Sequence, residues 1–199
     1  MEFDLENLER AAQLETSGNW REMLKHCSMW KVAEPTNYLA WQGVGDALTH
    51  FGKDNEAIAM YQLALKLVPA KPTVVLGATM SSAPVWYRLG NAFVKRGKIE
   101  QAIDAFLHGV NTDSNAGVIW NNLGIAYLEK GDAKNGIEAF RRAIRASPHD
   151  PSFLRNLGIA YARCNMHDGV RIVHELLAAL DAGVAKEFLI NATQILAAP

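Results

Sequence analysis

Cysteine is scarce in this sequence. Cys27 and Cys164 are its two cysteines, and they lack the paired spacing that a disulfide framework or a zinc site requires. Cys164 and His167 have a ligand-like spacing, but the sequence contains no second pair of this kind. We therefore expect two packing thiols, no metal and no cofactor.

The sequence also lacks an excess of charge and a long apolar run. It has 20 basic and 21 acidic side chains, with a formal net charge of −1, so it has no general attraction for nucleic acid or for an anionic membrane. No stretch approaches the roughly 18 apolar residues of a spanning helix. Glu2, Asp4 and Glu6 stand where a signal peptide would be basic. These features predict a cytoplasmic protein without membrane insertion.

Catalytic signatures are missing as well. The sequence contains no Walker-type phosphate loop, no GxGxxG and no GxSxG. Its six histidines are scattered along the chain. We therefore predict a protein that is not an enzyme.

What the sequence does contain is a strong internal repeat. The pattern Trp-x-x-Leu-Gly-x-x-aromatic begins at Trp86 and again, 34 residues later, at Trp120, and a copy with leucine in the first place begins at Leu154. Its fixed residues are spaced i, i+3, i+4 and i+7, which is one stripe of a helix. A period of this length predicts stacked helical hairpins without a single central core.

This pattern resembles the tetratricopeptide repeat family. With Trp120 at position 4 of a 34-residue repeat, Gly124, Gly131 and Phe140 fall on the diagnostic positions 8, 15 and 24. Gly136 departs from the family pattern, which usually has alanine at that position. The resemblance implies an all-α fold, a right-handed superhelical solenoid of about five helix-turn-helix repeats with a C-terminal capping helix.

Counting in this register assigns the whole chain, residues 1–199, to one solenoid. The predicted repeats are about 4–37, 38–71, 83–116, 117–150 and 151–184, and the capping helix is about 184–197.

The period fails once. Gly45 and Gly90 are 45 residues apart, which leaves 11 additional residues at about 72–82. Several of them are apolar and should be packed away from water. We predict a loop folded over a neighbouring helix; the alternatives are an element that gates the ligand groove and one that pairs two copies of the chain.

The resemblance implies that first helices line a groove that binds a peptide or a partner helix. The groove positions of the family correspond in this sequence to Gln42, Asp46, Tyr87, Arg88, Asn91, Lys95, Asn121, Asn122, Arg155, Asn156 and Arg163.

Two features of this set suggest a ligand. Asn122 and Asn156 repeat at position 6, where an amide can bind a peptide main chain; asparagine is also common there in the family, so a plain structural role is the alternative. Four of the residues are cations, which suits an acidic or carboxylate-bearing ligand, and Tyr87 offers an aromatic anchor. A separate cluster, Arg141, Arg142 and Arg145, is predicted to be a solvated face.

The predicted function is a non-catalytic scaffold or adaptor that binds a protein or peptide, possessing no affinity for nucleic acid. Three alternatives remain. The chain is the repeat module of a larger enzyme such as a glycosyltransferase, a secretion or co-chaperone protein, or a self-assembly module that pairs through residues 73–81 or through the C-terminal helix.

Overall fold

The computed structural model describes residues 5–69, 73–75 and 78–197. The chain divides into two compact units, Met1–Thr112 and Asp113–Pro199. The first unit contains the helices α1 (Leu5–Thr16), α2 (Trp20–Ala33), α3 (Tyr38–His50), α4 (Asp54–Leu67), α5 (Ala83–Lys95) and α6 (Ile99–Thr112). The second contains α7 (Gly117–Glu129), α8 (Ala133–Ala146), α9 (Pro151–Arg163), α10 (His167–Leu180) and α11 (Ala182–Leu196).

Short polar side chains set where several helices begin. Asn37 accepts a hydrogen bond from the backbone N–H of Leu39 at 3.2 Å at the start of α3. Asp150 accepts one from Ser152 at 2.9 Å at the start of α9. These contacts satisfy N–H groups that the first turn of a helix leaves unpaired.

The turns inside the hairpins use the left-handed backbone conformation. Gly131 has φ = 85° between α7 and α8, and Asn165 has φ = 54° at the same repeat position between α9 and α10. Glycine reaches this conformation without a steric penalty, and asparagine is the side chain that tolerates it best. The turn geometry is therefore kept in the last hairpin, although the glycine is not.

Paired helices approach each other closely because an aromatic ring lies directly on a glycine. A β-carbon placed on Gly124 of α7 would be 2.6 Å from Cε1 of Phe140 on α8, and one on Gly45 of α3 would be 2.5 Å from Cε1 of Tyr61 on α4. Phe140 and Tyr61 are almost completely buried. Even an alanine methyl group would push these helices apart.

The last hairpin takes its aromatic ring from α11. Position 24 of that repeat is His174, and the ring on Gly158 belongs instead to Phe188, which is fully buried. Ala185 and Ala192 of α11 join the same core. The predicted capping helix thus exists and starts two residues earlier than expected, because Asp181 accepts hydrogen bonds from the N–H groups of Gly183 and Val184.

The insertion contains a short hairpin where a loop was expected. Strands β1 (Thr73–Val75) and β2 (Ala78–Met80) pair antiparallel, with Thr73 opposite Met80 and Val75 opposite Ala78. β-Branched residues such as Thr73, Val74 and Val75 favour the extended conformation of a strand. The prediction of a loop did not take this preference into account. The side chains of this segment lie outside the described residues, so self-association through 73–81 stays a prediction.

The two cysteines have different environments. Cys27 is fully buried, and burial raises the pKa of its thiol to about 12, so it is an inert packing group. Cys164 is exposed at the C-terminal end of α9. The expectation of two packing thiols therefore holds for Cys27 and is wrong for Cys164, whose position at a helix end leaves it outside the core.

Truncating the ring supplied by α11 tests its role. We expect Phe188→Ala to lower the free energy of unfolding by about 3–5 kcal/mol, because it opens a cavity over Gly158. The neighbouring Leu189 is 40% exposed, so the control Leu189→Ala should cost less than about 1 kcal/mol. Chemical denaturation of both variants measures the difference, and equal costs would show that α11 does not complete the core.

Candidate functional site

A groove of about 570 Å³ in the first unit brings together five of the predicted site residues. They are Asp46 on α3 and Tyr87, Arg88, Asn91 and Lys95 on α5. The other lining residues are Glu15, Trp20, Thr49, His50, Tyr61 and Val94. Peptide and small-molecule sites commonly have volumes of roughly 300–1,000 Å³.

The floor of the groove is a buried polar cluster centred on Asp46. Its carboxylate accepts hydrogen bonds from Nε of Arg88 at 2.7 Å and from the hydroxyl of Tyr61 at 2.8 Å. The Tyr61 hydroxyl is also 3.1 Å from Oγ1 of Thr49. Only 9% of the Asp46 side chain is exposed. These bonds join α3, α4 and α5, so the floor is held in one arrangement.

Arg88 is engaged by two carboxylates. Besides Asp46, its Nη2 lies 3.5 Å from Oε1 of Glu15 on α1. Burial alone would lower the pKa of Arg88, but Asp46, together with smaller contributions from Glu15 and Tyr61, raises the pKa above its ordinary value. Burial raises the pKa of Asp46, and Arg88 and Tyr61 oppose that rise. The positive charge of Arg88 is therefore compensated within the protein, which the sequence did not reveal.

Aromatic rings form the walls above this floor. The indole of Trp20 stacks on the imidazole of His50, with 4.7 Å between ring centroids and an interplanar angle of 18°. Tyr87 is half-buried in the lining. Lys95 is exposed at the end of α5 and makes no ion pair with the described residues. Aromatic walls with one available cation can hold an apolar side chain next to a carboxylate.

Gln42 is separate from this groove. It is half-buried on α3, but it does not belong to the lining around Asp46.

In the second unit, the predicted asparagines bind one another. Nδ2 of Asn156 on α9 donates to Oδ1 of Asn121 on α7 at 2.8 Å. Nδ2 of Asn121 donates to Oδ1 of Asn122 at 3.3 Å. Asn121 is buried, so these bonds first satisfy the amides themselves. The donor and acceptor positions that remain on the half-buried Asn156 can still bind a main chain.

The two predicted cations of the second unit differ in their surroundings. Nη1 of Arg155 lies 3.9 Å from Oε1 of Glu187 on α11, and its Nε is buried without a hydrogen-bond partner among the described residues. Arg163 is exposed at the end of α9.

The sequence did not indicate that Glu15, Trp20 and Tyr61 line the groove. Glu15 and Trp20 lie in the first predicted repeat, where the diagnostic residues are weakest and the register carries little information. Tyr61 falls at position 24 of its repeat, which is a packing position. Its hydroxyl was the available signal, because Phe106 and Phe140 occupy the same repeat position without one.

The described residues lack both a metal-binding cluster and a membrane-spanning helix. They contain no group of three or more histidine, cysteine, aspartate or glutamate side chains that could hold a metal ion. None of their helices is long and apolar enough to cross a membrane.

The sequence matches one family model. The model described as tetratricopeptide repeat matches residues 87–151 and 121–164. This match confirms the resemblance inferred from the repeated Trp-x-x-Leu-Gly pattern. Among curated protein sequences, none matches the chain.

Several solved structures have the same fold. MamA superposes with a TM-score of 0.74 at 20% identity, covering 88% of this chain and 96% of MamA. A 41-end form of MamA from Desulfovibrio magneticus RS-1 gives 0.74 at 20% identity, over 89% of this chain and 94% of that one. YrrB, described as a TPR protein with an unusual peptide-binding site, gives 0.69 at 16% identity, over 91% and 89%. These similarities confirm the predicted all-α repeat fold.

Removing the Arg88 guanidinium tests the floor of the groove. We expect Arg88→Met to cost about 2–3 kcal/mol of unfolding free energy, because it leaves Asp46 buried without its cation. Lys95→Met, the control on the same helix, should change stability by less than about 0.5 kcal/mol. In the double variant Arg88→Met/Asp46→Leu, much of the loss should be recovered. Equal stabilities of the two single variants would contradict this interpretation.

Proposed function

We propose that this tetratricopeptide repeat protein is a non-catalytic scaffold whose first unit holds an extended peptide segment of a partner protein. The observation that carries the proposal is the groove lined by Asp46, Tyr87, Arg88, Asn91 and Lys95. Residues that a repeat register marks as ligand-facing lie along one cleft with aromatic walls. Such walls supply large contact areas at a low cost in side-chain entropy.

The charges of the groove favour a peptide that is neutral overall. Arg88 is balanced by Asp46 and Glu15, so Lys95 is the lining cation that can meet a ligand carboxylate. The sequence predicted an acidic ligand, and we now propose a ligand with one carboxylate that meets this groove. An aromatic or aliphatic side chain next to that carboxylate suits the surface of Tyr87 and the Trp20–His50 stack.

The second unit offers a separate place for a main chain. Asn156 and Asn121 form a fixed amide pair, and a fixed amide binds a peptide group at a smaller entropic cost than a mobile one. In this proposal the asparagines bind a peptide main chain, and the groove of the first unit selects the peptide by its side chains.

A scaffold is also the function that the repeat family favours. YrrB has a related fold and is itself described as having a peptide-binding site, which supports the class of activity without identifying a ligand. The proposed role includes no chemical step, and the groove has a floor of paired charges and packing rings instead of an activated nucleophile.

Selection from a displayed library of short peptides tests the proposal. Peptides recovered on the wild-type protein should bind Tyr87→Ala roughly 30-fold more weakly, as expected for an aromatic hot spot worth about 2 kcal/mol. They should also bind Lys95→Glu more weakly, whereas Arg96→Glu, an exposed neighbour outside the lining, should leave binding unchanged. Fluorescence anisotropy measures each affinity.

The melting temperature of each variant serves as the control for folding. Tight binding to Tyr87→Ala and Lys95→Glu, at an unchanged melting temperature, would show that the ligand lies elsewhere.

A further inference from the structure

Helix α10 exposes an apolar stripe. Ile172, Leu176 and Leu180 are 49%, 48% and 45% exposed and lie four residues apart, so they follow one side of the helix. A different side of α10 packs into the core of the unit, and on that side Val173 and Leu177 are buried. The stripe is therefore apolar surface that the fold of its own unit does not use.

The repeat pattern does not require this stripe. Positions 22, 26 and 30 are Glu138, Arg142 and Ala146 in α8, and they are Asp104, His108 and Thr112 in α6. In α8 the polar residue has a packing role, because the guanidinium of Arg142 lies 4.8 Å from the centre of the Trp120 ring. Only α10 carries three large apolar side chains at these positions. An apolar set specific to one helix indicates an interface.

The stripe borders a groove with an apolar floor. Leu176 lines a cleft of about 520 Å³ together with Ile144 of α8 and Leu154 and Leu157 of α9. The opposite wall is charged and consists of Glu138, Arg141 and Arg145 on α8.

The two walls have opposite charge. Helix α8 carries Lys134, Arg141, Arg142 and Arg145 against one carboxylate, Glu138, which binds both Arg142 and Arg145 at 3.1 Å. Helix α10 carries two carboxylates, Asp168 and Glu175, against one guanidinium, Arg171, which lies 3.7 Å and 3.0 Å from them. The basic side chains of α8 thus lie on one side of the apolar stripe, and the carboxylates of Asp168 and Glu175 lie on its other side.

Equal repeat positions bear opposite charges. Position 18 is Lys134 in α8 and Asp168 in α10, and position 25 is Arg141 in α8 and Glu175 in α10. Because equal positions lie at the same height on successive second helices, the charge pattern is complementary to itself.

We propose that this face binds a second copy of the chain in a two-fold symmetric dimer. A two-fold axis parallel to α10 sets the stripe of one copy against the stripe of the other. Because rotation about this axis keeps heights along the helices, it also brings Lys134 and Arg141 of each copy opposite the partner's Asp168 and Glu175. An interface of this kind is isologous, so both halves of every contact must exist on one chain. The stripe and its two charged borders meet that condition.

Sedimentation velocity at low and high micromolar concentrations tests the dimer. The wild-type protein should shift from monomer to dimer, and Leu176→Glu should stay monomeric. Leu189→Glu is the matched control, because Leu189 is comparably exposed at 40% but belongs to α11 and not to the stripe on α10. It should dimerise like the wild type. A wild-type protein that is monomeric throughout would overturn the proposal, and so would loss of the dimer in Leu189→Glu.

A charge exchange distinguishes the proposed dimer geometry from non-specific hydrophobic association. Lys134→Glu and Asp168→Lys should each raise the dissociation constant of the dimer roughly tenfold or more, because each sets like charges opposite each other. The double variant Lys134→Glu/Asp168→Lys should dimerise nearly as well as the wild type. If the two losses simply add, the proposed pairing is wrong.

The peptide groove is an independent control. Lys95→Glu lies in the other unit and should leave dimerisation unchanged, so the peptide proposal and the dimer proposal can fail separately.

Discussion

The contact between a glycine of one helix and an aromatic ring of its partner is the constraint on which each hairpin depends. At Gly45 and Gly124 the ring lies so close that a methyl group has no room. The helices can reach this distance only if the residue has no side chain, and the ring then fills the space that two ordinary side chains would share. The last hairpin also has a glycine covered by an aromatic ring, although there the ring is that of Phe188 on α11.

This contact also determines where polar side chains can lie. Once Gly45 faces the Tyr61 ring, the next residue, Asp46, projects beside that ring and within reach of its hydroxyl. A buried carboxylate requires compensation, and Arg88 provides it from α5. The groove floor is thus a consequence of core packing, and the ligand-facing residues stand next to a cluster that already has its charges satisfied.

Much of the fold was predictable from the sequence, because its determinants recur at a fixed period. Trp120, Gly124 and Phe140 indicate the helices and their pairing within a hairpin, and Gly131 indicates the turn. The state of the candidate site was less predictable. The pairing of Arg88 with Glu15 joins residues 73 positions apart, and the first repeat is too degenerate to place Glu15. The exposure of Cys164 and the β-hairpin were not predicted, because neither depends on residues that recur with the repeat period.

The most direct measurement is a double-mutant cycle for unfolding free energy at Gly124 and Phe140. Alanine is normally the better helix former by about 0.5–1 kcal/mol. In the wild-type background, we expect Gly124→Ala instead to destabilise the protein by about 1–3 kcal/mol, because its methyl group meets the Phe140 ring. In a Phe140→Leu background, the same substitution should be neutral or stabilising. If Gly124→Ala stabilises both backgrounds equally, close approach of the ring is not what organises the hairpin.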